Sequence, residues 1–435
     1  MTRLPLPVFL TLFAPQAFAA VPATVLTSLE SSAVVRAVSG DGSTVCGDYN
    51  SGAFVWTAEN GRSFLNPPSG STQWRANGVS DNGTMIVGNA GNAPGLQAIR
   101  WDSGSPVELG WLDGKPYPGA IPQSSANDIS ADGSVIVGYS TSATNLQEAF
   151  RLENGNMTGL GALPGGSGFS IAHAVSADGG TVVGQASSAS GNEAFIRRNG
   201  EVMGGLGDFA GGNYFSVARA VSGDGSVVVG SGSVNRGGSS VPAAFRWVPA
   251  TGMTALPLPE GSSQSEALGI SAAGNLITGT ATIAALPHAV IWDDQAGVLM
   301  LEDLLEAKGV DLTGWYLFSA AAISDDGDTI AGNGWYDGDE VGWVITGALD
   351  LFIPDVPLPL VEITRGESAV TLGFETEPGY LYQAEVSSDL IDGSWENLGS
   401  AHSTAGAGTA GEHQVIDPDP AAGQSFYRVR VEPAP

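Results

Sequence analysis

The sequence predicts an all-β protein: a seven-bladed β-propeller closed by an N-terminal strand, with a small C-terminal β-sandwich behind it. Three observations lead there. A Ser-x-Asp-Gly turn followed by a second glycine recurs seven times at fixed spacing. Glycine occupies 62 of 435 positions and only 14% of residues are charged, a composition rich in turns and strands. The last repeat lacks a fourth strand, and a spare one precedes the first.

The chain begins "MTRLPLPVFLTLFAPQAFAA", in which Arg3 is the sole charge and Ala17-Phe18-Ala19 supplies small residues at cleavage spacing. This predicts a secretory signal peptide over residues 1–20, cut after Ala19, and a secreted product, extracellular or at the cell surface. No later stretch reaches the roughly eighteen apolar residues of a spanning helix, so no membrane span is expected.

The repeats follow, over 21–350. They start at Ser39, Ser80, Ser130, Ser176, Ser222, Ser271 and Ser324, with Asn82 in place of Asp in the second and Ala273 in the sixth. In such a turn the Ser and Asp side chains bond nearby amides and the Gly takes a positive φ. The second Gly, at 47, 88, 138, 184, 230, 279 and 332, marks a place where a neighbouring backbone leaves no room for a Cβ. Each unit reads as four short strands. The first two flank the turn; the third is "AFVW" at 53–56 and "AFRW" at 244–247; the fourth is of the "MTGLGAL" type at 157–163. Four-stranded units repeated seven times suit a propeller. "TVLTSLE" at 24–30 would give the seventh unit its fourth strand and close the ring.

These motifs, "VS-x-DG" with the later Gly and then "AF-x-W", resemble the HAF family of bacterial extracellular repeats over residues 24–349. The resemblance implies a repeat fold and no particular activity. After a Pro-rich linker at 351–361, alternating segments such as "AVTLGFET" and "SFYRVRVE" predict a β-sandwich over 362–435. Within it, "GYLYQAEVSSDLIDGSWENLG" resembles the fibronectin-like modules that end many secreted bacterial proteins.

Charge and chemistry narrow the function. A net charge of −29 argues against nucleic-acid partners. Cys46 is alone and stands in a column of valines, so it reads as a core residue rather than a reactive thiol. Four histidines show no metal-ligand spacing, and no nucleophile elbow or phosphate loop occurs. The candidates are departures from the repeat. Three residues before each repeat Ser stand Arg36, Asn77, Asn127, His173, Arg219, Leu268 and Ala321. The polar five either bond backbone and channel water or form a ring of donors for a ligand. Trp74, Tyr214, Trp315 and Trp335 fall in variable links, where exposed rings would stack on sugar and buried ones would only pack. Asp337, Asp339 and Glu340 close an acidic run that reads as a solvated loop or a Ca²⁺ site; no other cofactor is expected. The leading expectation is a non-catalytic binding protein for an extracellular glycan or surface component, acting through the variable face. A carbohydrate-active lyase or glycosidase and a structural envelope component are the alternatives. The oligomeric state is left open by the sequence.

Overall fold

The repeat turns fold by one hydrogen-bond pattern. In the first, Ser39 Oγ donates to Asp41 Oδ1 (2.6 Å) and accepts the Thr44 amide (2.9 Å), while Asp41 Oδ1 accepts the Ser43 amide (2.9 Å). Asp132, Asp178, Asp224 and Asp326 repeat it. Asn82 does so through its amide oxygen. Where Ala273 removes the carboxylate, Asn275 Oδ1 accepts from Ser271 Oγ instead. The turn glycines lie at φ between 69° and 85°, the left-handed region that a side chain disfavours. Hydroxyl donors (Ser134 on Asp132, Ser176 on Asp178, Ser226 on Asp224), with the turn amides, hold these carboxyls below their usual range.

The computed structural model describes residues 24–352, apart from 51, 93–94, 113–120, 122, 143–146 and 295–296, together with strands between 362 and 433. The predicted signal peptide and most of the Pro-rich linker lie outside the described residues; Leu351 and Phe352 end a 3₁₀ turn, Ala348–Phe352. The chain divides into two units, Met1–Leu351 and Phe352–Pro435.

In the first unit, repeats one, two, three and six each build a four-stranded antiparallel sheet in chain order. Repeats four and five form two further sets, joined into one sheet by a single parallel bridge between Asn192 and Phe215. Repeat seven supplies three strands, and Val25–Ser31 adds the fourth, antiparallel to Asp339–Thr346 with Leu26 opposite Ile345. Thr24 Oγ1 extends that seam by donating to the Gly347 carbonyl (3.0 Å).

The first strands of the repeats are Ala33–Val38, Gln73–Val79, Ser124–Ile129, Ser170–Val175, Gly211–Val221, Ser262–Ile270 and Trp315–Ile323. Their ends are tied by backbone hydrogen bonds from turn to turn. Asp41 donates to Asp81, Asp81 to Ala131, Ala131 to Ala177, Ala177 to Gly223, Gly223 to Ala272, Ala272 to Asp325, and Asp325 back to Gly40, all within 2.9–3.1 Å. The circuit is closed, with a one-residue slip only at the first turn.

Apolar side chains fill the space between successive sheets. Cys46, Ala53 and Leu65 of the first meet Ile86, Ile99 and Trp101 of the second, and Leu29, Val35 and Phe54 meet Ala331 and Val344 across the closure. Burial and nearby carboxylates push the Cys46 thiol far up, so it is a packing residue and not a nucleophile. Sheets packed face to face around a closed circuit make this unit a β-propeller. One feature is absent from the repeat pattern: the helix Leu301–Ala307, which buries Leu301 and Leu305 one turn apart.

In the second unit, Glu362–Arg365, Val370–Thr376 and Gly411–Asp417 form one antiparallel sheet. Tyr380–Ser387 forms another, pairing with Phe426–Pro433, Glu396–Asn397 and His402–Ser403.

Candidate functional site

The second glycine of each repeat creates the site indirectly. A Cβ on Gly47, Gly88, Gly138, Gly184, Gly230, Gly279 or Gly332 would lie 1.8–2.1 Å from a carbonyl oxygen of the first strand. That carbonyl leans in because the first strand bulges one step later. In every repeat the pairing skips one residue: Val35 faces Gly47 and Ala37 faces Cys46, so Arg36 has no opposite number. The skipped residues in the other six are Asn77, Asn127, His173, Arg219, Leu268 and Ala321. A bulge turns its extra residue out of the ladder and re-aims the side chain. Here seven bulges aim the whole column at one place, and all seven residues line a single cavity of about 220 Å³.

The five polar members of the column do different work. Asn77 Nδ2 donates to the Ala126 carbonyl (2.9 Å) and Asn127 Nδ2 to the Ala172 carbonyl (2.8 Å), each clasping the next sheet. Arg36 is paired with Asp48 in its own sheet through Nε and Nη2 (3.1 and 2.9 Å). His173 and Arg219 are neighbours without such partners: Nε2 of the imidazole and Nε of the guanidinium are buried and make no hydrogen bond. Burial, and then the Arg219 charge, push the His173 pKa down to about 3, so its ring is neutral at ordinary pH.

Three carboxylates that sequence reasoning passed over line the same cavity: Asp81, Asp128 and Asp325. Asp128 sits one residue past the bulge, where the other repeats carry Ala37, Gly78, Ala174, Ala220, Gly269 and Ala322. That break in a column of small residues was the available signal. Its oxygens accept the Val175 amide of the next sheet (2.8 Å) and its neighbour Ile129 (2.9 Å), while burial raises its pKa to about 7. Asp81 and Asp325 occupy the variable position of the turn and converge over Gly40, where a Cβ would lie 1.9 and 2.9 Å from their oxygens. Burial, then Asp81 and Asp326, raise the Asp325 pKa. These turn residues are four positions from the bulge, roughly 13 Å along a strand. The cavity therefore carries its cations, Arg36 and Arg219, at the bulge end, with Asp128 one residue beyond the bulge, and is acidic at the turn end, where Asp81 and Asp325 stand.

The predicted aromatics do not line it. Trp74 is partly buried against the first two sheets, and its indole donates to the Leu65 carbonyl (2.9 Å), so it is a packing residue. Tyr214 and Phe215 are exposed, at 38% and 40%, on the strand that carries Arg219, five and four residues before it. Burial and a bond to Glu193 push the Tyr214 phenol up to about 12. On the seventh sheet Trp315 stacks on Tyr336 (4.7 Å), and the half-exposed Trp335 packs against Tyr316 and Phe318 (5.6 and 5.9 Å).

The acidic run reads differently in three dimensions. Asp337 and Gly338, at φ 50° and 90°, are the hairpin turn between Thr329–Tyr336 and Asp339–Thr346. Asp-Gly is the turn chemistry such hairpins require. Asp339 and Glu340 are exposed strand positions beyond it, and no group of three or more metal-ligating side chains is gathered among the described residues. The set Asp337, Asp339 and Glu340 is thus a hairpin turn and its flank.

A serine column also escaped notice. Ser124, Ser170 and Ser216, six residues before the repeat Ser, each accept an amide from the preceding sheet (Ala98, Ala149, Ala194) and donate to a carbonyl there (Gly110, Gly161, Gly207). Ser265 accepts the Ala244 amide likewise.

No family model matches the chain, and no curated protein matches it. Among solved structures, an oligogalacturonate lyase from Vibrio parahaemolyticus is similar over 74% of this chain and 93% of its own, with 11% identity and a TM-score of 0.47. An oligogalacturonate lyase in complex with manganese is similar over 75% and 94%, with 12% identity and a TM-score of 0.45. The putative TolB from Agrobacterium tumefaciens is similar over 72% and 89%, with 14% identity and a TM-score of 0.38. At these values they lend no residue a role. The propeller assignment stands on this chain's own pairing. No helix among the described residues is long and apolar enough to cross a membrane.

Proposed function

We propose that the protein is a secreted, non-catalytic binding protein of seven blades, with the C-terminal strands forming a sandwich, and that it recognises carbohydrate through the variable face of the propeller. The observation that carries this reading is the placement of exposed and half-buried rings on, or packed against, strands that supply the bulge column. Tyr214 and Phe215 precede Arg219, and Trp315 and Tyr316, with Trp335 packed against Tyr316, precede Ala321. A pyranose offers an apolar face to such rings and polar edges to donors. The seven repeats, the closed circuit of turn bonds and the N-terminal strand support the blade count. The catalytic alternative finds less support. Asp337, Asp339 and Glu340 form a hairpin turn and its flank, and both oxygens of Asp128 are engaged by backbone amides.

The test is retention of the mature protein on neutral and anionic polysaccharides, with and without calcium, scored together with the appearance of new sugar ends. Retention that Trp335→Ala reduces severalfold, without new ends, is the expected result. New ends would replace the binding reading with the enzymatic one, and neither retention nor cleavage would overturn both.

A further inference from the structure

We infer that the cationic end of the central cavity is a receptor for a small monoanionic group, a carboxylate, held by Arg219 with His173 as second donor. This does not depend on carbohydrate binding at the aromatic rings, which stand outside the cavity.

The first support is charge pairing. The chain carries 45 acidic and 16 basic side chains. Arg36, Arg62, Arg100, Arg151 and Arg246 each sit within 3.6 Å of a carboxylate. Arg75, Arg197, Arg198, Arg219 and Arg236 have no ion-pair partner among the described residues, and of these Arg219 alone lines the cavity, which it shares with Asp81, Asp128 and Asp325. A buried guanidinium N–H without an acceptor carries an unreturned desolvation cost. A bound oxyanion returns it.

The second support is the neighbour. The Nε2 of His173 is also buried and unbonded, and a neutral imidazole protonated there is a donor of the kind an oxyanion needs beside an arginine fork. The other polar residues of the column are already engaged, Asn77 and Asn127 by carbonyls and Arg36 by Asp48. Two donors from adjacent repeats are what remains.

Cavity size and polarity select the class of anion. About 220 Å³ is below the range of about 300–1,000 Å³ typical of sites that enclose a whole organic ligand, so a small group or the tip of a larger ligand enters. A planar carboxylate matches one guanidinium fork and brings one charge. Sulfate or phosphate would bring more charge into a cavity that already holds Asp128 beside the bulge and Asp81 and Asp325 at its other end.

The experiment is an NMR titration of the full chain, following the His173 ring nitrogens while sodium acetate, sulfate or phosphate replaces chloride at constant ionic strength. Acetate should shift the His173 signals saturably in the millimolar range. Arg219→Gln should weaken that response about tenfold or more, the factor expected for a hydrogen-bonded charge, and His173→Gln should weaken acetate-induced thermal stabilisation by less. Arg219→Lys keeps the charge and loses the fork; it is the substitute if the Gln variant fails to fold, and should still weaken acetate severalfold. No saturable shift of the wild-type ring by 100 mM acetate (a concentration of about a hundred times a millimolar Kd) would overturn the proposal and leave a water-filled channel. A larger or tighter response to sulfate or phosphate would overturn the assignment to a carboxylate.

Discussion

Replacing Leu29 by Ala probes the closure of the ring without touching its backbone. Leu29 is 1% exposed and packs with Ala33, Val35, Val45, Phe54 and Trp56 of the first repeat and with Ala331 and Val344 of the seventh. Truncating a fully buried leucine costs about 2–5 kcal/mol, set by how far the surroundings collapse. Sheet-on-sheet packing on both sides of this position limits collapse, so about 3 kcal/mol is expected. For a unit of this size each kcal/mol moves Tm by about 2 °C, which predicts a fall of about 6 °C. Deleting residues 24–31 goes further. It removes the whole ladder to Asp339–Thr346 and uncovers Trp343 and Val344, both 0% exposed. The loss should be at least twice that of Leu29→Ala, a large part of the roughly 5–15 kcal/mol that keeps a typical domain folded. Thermal unfolding followed by circular dichroism measures both, and a peptide of residues 24–31 added in trans should restore part of the lost stability. A deletion variant with the wild-type melting curve would refute the view that this strand holds the ring closed.

Two further perturbations test the local chemistry. Gly138→Ala places a Cβ 1.9 Å from the Ser125 carbonyl and should cost about 3 kcal/mol, whereas Gly104→Ala, at φ 83° with open space around it, should cost about 1 kcal/mol; equal losses in urea unfolding would contradict the bulge geometry. Asp128 has a folded pKa of about 7 against an unfolded value near 3.9, so the folded state binds the extra proton between those values. Stability from this group is then greatest below pH 4 and falls as pH rises to 7, by at most about 4 kcal/mol. Asp178 and its counterparts, with lowered pKa values, act in the opposite direction, their contribution being lost as pH falls below about 4. Asp128→Asn should flatten the decline between pH 4.5 and 7.5, measured as urea midpoints; an unchanged slope would remove Asp128 from its cause.

What could be read from the residues was whatever depends on near neighbours in the chain. The Ser-x-Asp-Gly turn closes on itself within five residues, so its pattern survives in every copy, and the Asn82 and Ala273 exceptions are each compensated nearby. The second Gly was legible as a close approach, and the column containing Arg36, Asn77, Asn127, His173 and Arg219 as a set, because both recur at constant spacing. What each member of that column does was not legible. Asn77 and Asn127 are spent on carbonyls 49 and 45 residues away, and only the packing of sheet against sheet decides which side chains keep a free donor. The circuit of turn bonds is made by backbone groups, which leave Gly40, Asp81, Ala131 and the rest free to vary and therefore leave no motif. An acidic hairpin turn, a solvated loop and a cation site draw on the same residues, so that Asp337 begins a hairpin turn is shown by its φ of 50°, which exists only in three dimensions. The repeat, its turns and its strand order belong to the sequence because they are local hydrogen-bond and spacing rules. The identity of the unpartnered pair, Arg219 and His173, belongs to the tertiary structure, because a side chain is left unpartnered only by what fails to reach it from the neighbouring sheets.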